Sequence, residues 1–201
     1  MSDDPQQVAG VGWALAVPLT TARLVLRPYG ADDLDEMYAF HGLPSVARYL
    51  YRPPHTREQC AQLIAGGRHG RWAADGDVLR LAICRQAGPG VVGDITLRLA
   101  GAAAGQAEIG WILHPAHERQ GYATEAAAAV AAAAFDQLGV HRLYARLDVQ
   151  NTGSARICER LGMRREAHFI ENDLDGDRWG SEYVYAALAR DLAGRRGSGS
   201  G

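Results

Sequence analysis

The sequence predicts one mixed α/β domain of the α+β kind, a mostly antiparallel central sheet of about seven strands flanked by about four helices. Three observations predict it. The hydrophobic period switches repeatedly between two and 3.6 residues. The resulting order is strand, two helices, three strands, helix, strand, helix, two strands, which lacks the regular alternation of a doubly wound nucleotide fold. Finally, 201 residues that are 47% hydrophobic supply one core, without an internal repeat.

Each element has a local reason. Arg23 to Arg27 reads as a short strand closed by Pro28. Asp32 to His41 carries Leu34, Met37, Tyr38 and Phe40 at helical spacing, with acids at the start that suit the helix dipole. Thr56 and Gln59 form a capping box for a second helix that ends near Gly66-Gly67. Val78 to Cys84 alternates; Val91 to Leu99 alternates after the Gly-Pro-Gly turn at 88–90; Ala107 to His114 is apolar and ends at Pro115. Thr124 to Leu138 is an alanine-dominated helix stopped by Gly139. Arg142 to Val149 is a strand, Ser154 to Leu161 a short helix closed by Gly162, and Met163 to Ile170 a strand. Asp175-Gly176 turns the chain into a last strand, Tyr183 to Leu188. Residues 1–19 read as a loosely ordered lead-in, 20–193 as the domain, and 194–201 as a flexible tail or a remnant of expression.

Composition narrows the chemistry. All 21 basic residues are arginine, so a Schiff-base lysine, a phosphate-loop lysine and a lysine general base are excluded. The arginine and alanine bias itself reads as genome composition. A net charge of −2 without a basic run argues against nucleic acid as a partner. Cys60, Cys84 and Cys158 are odd in number and far apart, which fits neither a disulfide framework nor a metal cluster, and implies a reducing compartment. Val8 to Leu19 is apolar but follows Asp3 and Asp4 rather than basic residues, unlike a secretory leader. No apolar run approaches the roughly 20 residues that span a membrane. The expectation is a cytoplasmic protein with no membrane partner and no bound metal, monomeric or homodimeric. His114 and His117, three apart in a loop, are a weak metal signal and read as surface residues.

The most informative stretch is Glu108-Ile109-Gly110-Trp111-Ile112-Leu113-His114-Pro115, followed by a polar turn and Gly121-Tyr122-Ala123-Thr124-Glu125-Ala126. A strand stops at a proline, and one glycine opens a helix without bulky residues in its first turns. Such a helix start offers unpaired backbone N–H groups and a positive dipole end, a ready anion site that needs no lysine. Gly121 allows close backbone approach, and Ala123 leaves it unobstructed. An ordinary strand, turn and helix would look the same.

The loop resembles the pyrophosphate-binding motif of the Gcn5-related N-acetyltransferases, Gln/Arg-x-x-Gly-x-Gly/Ala. Gly121 and Ala123 match its last two positions, and Glu118 departs from the first. Gly121 to Ala126 is similar to the branch of RimJ/RimL-like ribosomal-protein N-terminal acetyltransferases. The likeness runs from about Thr21 to Leu188. It includes the opening strand Thr21 to Pro28, the block Asn151-x-x-Ser154-x-x-x-x-Glu159-x-Leu161-Gly162-Met163, Arg165-Glu166 and the Gly176-x-x-Trp179 turn. The resemblance implies an acetyl-CoA-dependent N-acetyltransferase that holds its cosubstrate where two central strands splay apart.

The resemblance also implies site residues. The edge of Trp111, Ile112 and Leu113 would offer N–H and C=O groups to the pantetheine arm, with an N–H near Trp111 or Ile112 facing the thioester oxygen. Arg119, Gln120, Gly121, Tyr122, Ala123 and Thr124 would wrap the pyrophosphate. Asn151 would bond the pantetheine from the other side, and it is equally a good helix N-cap. Many relatives carry a tyrosine seven residues after this Asn, where Cys158 stands here. The RimJ/RimL-like branch often carries a serine three residues after it, Ser154, which is favoured as the acid for the departing sulfur. Cys158 is the alternative acid, or a small buried hydrophobe. Glu108, on one strand face with Gly110 and Ile112, is the leading base, directly or through water, or else an arginine partner. Glu125 supports the helix dipole. Tyr49, Leu50, Tyr51 and Arg52 before Pro53-Pro54, with Trp72 and Trp179, offer an acceptor surface or plain packing. Asp173, Asp175 and Asp177 would favour a cationic amine if they face the cleft. The acceptor is an amine on a protein N-terminus or a small molecule. The departures at Glu118 and Cys158 keep a catalytically inactive CoA-binding sensor or partner module as the rival reading.

Overall fold

The computed structural model describes residues 14–67, 70–88 and 90–196. Most of the expected lead-in, Pro89 of the turn at 88–90 and the last five residues of the tail lie outside them. Among the described residues eight strands form one sheet in the order β1-β2-β3-β4-β5-β6-β8-β7. They are β1 (Leu19–Thr20), β2 (Leu24–Pro28), β3 (Val78–Arg85), β4 (Val91–Gly101), β5 (Gln106–Leu113), β6 (Arg142–Asp148), β7 (Arg164–Asp175) and β8 (Arg178–Leu188). Among the described residues six α-helices accompany them: α1 (Leu34–His41), α2 (Pro44–Ala47), α3 (Arg57–Gly67), α4 (Tyr122–Leu138), α5 (Thr152–Leu161) and α6 (Ala189–Arg196). No described helix is long and apolar enough to cross a membrane.

The fold class is as the sequence predicts, with one more strand and two more helices. The additions β1, α2 and α6 have two, four and eight residues, the first two too short to show a period. Leu15, inside the expected lead-in, is 1% exposed in the main core, and Leu19 and Thr20 pair with β2. Gly194 to Arg196, inside the expected tail, close α6. The β7–β8 hairpin is longer than its apolar runs because its outer half is exposed and irregular, with a register shift between Phe169 and Asp173.

Register assigns the side chains to two faces. Cross-strand partners Leu81 and Ile95, Leu97 and Ile109, Ala107 and Leu143 share one face. Against it lie Ala126, Ala127, Val130, Ala131 and Ala134 of α4 and Cys158 and Leu161 of α5, making the main core. The opposite face carries the rows Ala82–Asp94–Ile112, Arg80–Thr96–Gly110 and Arg98–Glu108–Tyr144. A smaller core there gathers Met37 and Phe40 of α1, Cys60 and Ile64 of α3, Tyr29, Ala82 and Val91. The sheet is thus apolar toward α4 and α5, and substantially polar toward α1 and α3.

Every neighbouring pair of strands is antiparallel except β5 and β6. That parallel pairing covers only Gln106–Arg142, Ala107–Leu143 and Glu108–Tyr144, although β5 continues to Leu113 and β6 to Asp148. Beyond Glu108 the two strands part, leaving edge backbone groups that no strand partner satisfies. The sheet has an open seam at its middle.

Candidate active site

A cavity of about 260 Å3 occupies the seam. Its walls include Ile109, Trp111, Ala145 and Leu147 from the apolar face and Asp94, Thr96, Gly110, Ile112 and Arg146 from the polar face. Alternate residues of the same strands line it, so the cavity passes through the sheet rather than lying on one side. Asn151 and Ser154 close it on the α5 side; His41, Tyr49, Leu50, Arg52, His55 and Arg80 close it toward α1 and α3.

On the α5 side, Asn151 caps the helix by accepting the Ser154 backbone N–H on Oδ1 at 3.0 Å. That bond fixes the first turn of α5 and the position of Ser154. The Trp111 indole N–H donates to Ser154 Oγ at 3.2 Å, from β5 to α5. Receiving this bond leaves the serine's own proton free to be donated. It also polarises the hydroxyl, making it a better donor.

Beyond β5 the chain takes a 3-10 turn over Pro115–His117 and reaches α4 through two residues with positive φ, Arg119 (61°) and Gly121 (82°). Gly121 is the N-cap; a Cβ there would lie 3.2 Å from the Arg23 guanidinium. The Glu125 N–H returns to Gly121 O, so the N–H groups of Tyr122, Ala123 and Thr124 precede the first intrahelical bond. Burial pushes the Glu125 carboxyl up, but the Thr21 hydroxyl at 2.6 Å and Arg23 outweigh it and hold the group below its ordinary value. Arg23 also donates to Gln120 O at 2.9 Å and lies over the Tyr122 ring. The start of β2 therefore ties down the whole turn from Gln120 to Glu125.

Toward α1, the polar side chains form a chain of contacts. Asp94, 1% exposed, accepts from His41 Nε2 at 2.7 Å and from Arg80 at 2.9 Å. Arg52 donates to His41 Nδ1 at 3.2 Å. A guanidinium has no acceptor, so Nδ1 is the unprotonated nitrogen, and the Nε2–H faces Asp94. Burial drives the Asp94 carboxyl up, yet Arg80 and His41 together bring it down to about 2. The His55 ring stacks on His41 at 5.4 Å and is held below its usual value by burial and by the charge of Arg52. Neighbouring Tyr51 donates its hydroxyl to Asp148 at 2.6 Å and to Ser181 O, locking the segment before α3 onto β6 and β8.

The sequence-predicted residues divide accordingly. Trp111, Ile112, Asn151, Ser154 and Tyr49 meet at the cavity. Arg119, Gln120, Gly121, Tyr122, Ala123 and Thr124 form the glycine-capped turn, and Leu113 ends β5 against the main core. Glu108 is not on the cavity wall; its carboxylate pairs with Arg98 at 3.0 Å. Cys158 sits fully buried in the main core, away from the cavity, and burial pushes its thiol up to about 12. Trp72 packs on the main core and Trp179 is 61% exposed on the outer hairpin, so neither lines the cavity. Asp173 and Asp177 lie on that exposed hairpin too, off the cavity wall. Sequence reading missed His41, His55, Arg80 and Asp94. The one available signal was an acid inside the otherwise apolar run Val91 to Leu97.

A sheet that opens at one parallel seam beside a glycine-capped helix N-terminus offers a cleft with an anion site at its mouth. The chain belongs to the acetyltransferase (GNAT) domain family, whose model matches residues 23–164. As a member it is an acetyl-CoA-dependent N-acetyltransferase. It is 28% identical over 174 residues to the uncharacterized N-acetyltransferase YnaD of Bacillus subtilis, covering 86% of this chain and 98% of that one. Among solved structures, a GNAT-family acetyltransferase from Bacillus anthracis superposes with a TM-score of 0.76 at 26% identity, over 85% of this chain and 97% of the other. The spermidine N-acetyltransferase of Vibrio cholerae, solved with CoA and spermine, shares the fold with a TM-score of 0.75 at 18% identity, over 86% and 99% of the two chains.

Proposed function

We propose that this chain transfers the acetyl group of acetyl-CoA to a primary amine, on a protein N-terminus or a small molecule, by direct attack within a ternary complex. The observation that carries the reading is the open seam, with the Trp111–Ser154 hydrogen bond across it and a glycine-capped helix start beside it. The backbone N–H groups from Arg119 to Thr124 hold the pyrophosphate at the positive end of α4. The unpaired edge of β5 from Trp111 to Leu113 and Asn151 hold the pantetheine arm. Acetyl-CoA thus enters from the α4 side and the amine from the α1 side, meeting in the seam.

Three demands follow from the chemistry. A β5 N–H near Trp111 or Ile112 stabilises the oxyanion. Ser154, its oxygen already engaged by Trp111, gives its proton to the departing sulfur. The amine's proton leaves through water toward Glu108, which shares a strand face with Gly110 but stands beyond the cavity wall on Arg98. The opening strand and the Asn151–Ser154 block support the finer assignment to the RimJ/RimL-like branch.

The test is CoA thiol release from acetyl-CoA with a broad panel of amines and peptides, in wild type and Ser154→Ala. Turnover by the wild type, with kcat reduced in the variant more than acetyl-CoA affinity, is expected. Acetyl-CoA binding with no thiol release from any acceptor refutes the reading and favours a CoA-binding module.

A further inference from the structure

We propose that the amine acceptor carries an anionic oxygen group, a carboxylate or a phosphate, that seats on Arg52 at the α1 side of the cavity. The inference rests on the transferase reading and names its substrate class. Among the described residues, three guanidiniums line the cavity (Arg52, Arg80 and Arg146), against one carboxylate, Asp94. Arg80 is matched by Asp94 at 2.9 Å. Arg146 is matched by Glu182, which Asn172 also bonds. Among the described residues no carboxylate lies within ion-pair distance of Arg52. Its named bonds go to Pro53 O at 3.0 Å and His41 Nδ1 at 3.2 Å, both neutral acceptors. Those two bonds leave three of its five N–H groups.

The surroundings do not cancel this charge. His41 presents its lone pair to Arg52 and its N–H to Asp94, so it separates the two charges rather than bringing them together. His55 is held toward its neutral form by burial and by Arg52 itself. Asp173 and Asp177 of the outer hairpin, which would attract a cationic amine, are absent from the cavity wall, and the Asp175 side chain lies outside the described residues. Arg52 is half-buried, so its field is less screened than that of a surface arginine, and a planar guanidinium pairs best with a two-oxygen anion. A polycation would meet this charge head-on. The cavity of about 260 Å3 is below the ordinary range for drug-sized ligands, which limits the acceptor to a small molecule or the terminal residue of a chain.

The experiment measures kcat/KM for CoA release with matched acceptors: amino acids against their carboxamides, phosphoethanolamine against ethanolamine, and spermidine as the polycation. Wild type is expected to prefer an acidic member over its neutral partner by about tenfold or more. Whichever pair shows the ratio tells carboxylate from phosphate. Arg52→Gln should erase the ratio and Arg52→Lys should retain part of it, a change in selectivity that a structural defect would not produce. If Arg52→Gln does not fold, the wild-type ratio decides alone. Equal or better turnover of the neutral amines or of spermidine overturns the proposal, as does an Arg52→Gln variant that loses rate equally on every acceptor. These outcomes leave the transferase reading standing. Acetyl-CoA binding, seen by calorimetry, with no turnover of any acceptor overturns both.

Discussion

Replacing Asp94 by Asn removes the carboxylate on the cavity wall that neutralises Arg80. Asp94 is 1% exposed and accepts two bonds, from His41 at 2.7 Å and Arg80 at 2.9 Å. Breaking one partner of a buried ionic pair costs about 3–5 kcal/mol, because the other charge is left uncompensated. The Arg80 side chain keeps 16% exposure, so solvent relieves part of that penalty and the expected loss is about 3 kcal/mol. The second half of the prediction is its pH dependence. The folded carboxyl titrates at about 2, below the ordinary 3.8, so its contribution is fully present above pH 3.8 and disappears as pH falls through 2. The shift amounts to about 2 kcal/mol at neutral pH, with roughly half of it gone by pH 3. Urea unfolding of wild type and Asp94→Asn at pH 7, 5 and 3 tests both parts. The gap between the curves should be largest at pH 7 and should narrow at pH 3. A variant within about 1 kcal/mol of wild type at pH 7, or a gap that does not change with pH, would refute the electrostatic account of this centre.

Three further outcomes are expected. Gly121→Val should weaken acetyl-CoA binding at least about tenfold by calorimetry, because φ is +82° and a branched side chain would stand on the helix start; unchanged affinity would displace the pyrophosphate from this turn. Cys158→Ala should cost about 1 kcal/mol in chemical unfolding and leave turnover within about twofold, since the thiol is a buried packing group; a collapse of kcat would make it the acid after all. Gly180→Ala should destabilise by about 1–3 kcal/mol, because its Cβ would lie 2.1 Å from the Tyr51 ring. Either the strand shifts or Tyr51 swings away from Asp148, and a thermal midpoint equal to wild type would show that the segment before α3 is not held this way.

What could be read from sequence is what lies close together along the chain. The Thr56–Gln59 capping box forms both of its bonds, at 2.8 and 3.2 Å, and Asn151 caps α5 as expected. The strand, turn, Gly121 and helix are contiguous, so one stretch announced the phosphate-binding geometry. The chamber on the α1 side is different in kind. His41 ends α1, Arg52 and His55 lie in the connection before α3, Arg80 is on β3 and Asp94 on β4. No short-range pattern links these five, and only the register of β3 with β4 and the docking of α1 bring them together. Glu108 shows the same limit: strand alternation gives its face, but the pairing with Arg98 depends on the β4–β5 register. The Trp111–Ser154 bond spans 43 positions and joins two elements whose docking is set by the core, not by either segment.

Alanine and arginine, both readable as compositional bias, have separate structural consequences here. Ala123, Ala126, Ala127, Ala131 and Ala134 are all buried on α4, so the helix can lie close to the sheet and hold its N-terminus beside the seam. Larger residues on that face would lift the helix start away from the strand edge. The arginines act on the other side. Lacking lysine, the chain draws its strong basic groups from guanidiniums, which are charged at neutral pH. At the cavity two of them are matched by carboxylates and, among the described residues, Arg52 is not. A fixed positive charge beside the seam acts on the amine as well as on an anion. It disfavours the ammonium form, and each 1.36 kcal/mol of that repulsion lowers the amine's pKa by about one unit. An amine whose own anionic group is held by Arg52 would keep part of its basicity, whereas a simple cation would be driven to its free base or excluded. Substrate seating and amine deprotonation therefore draw on this charge in opposite senses: an anionic group on Arg52 relieves the repulsion, and the proton of such an acceptor still has to leave through water toward Glu108.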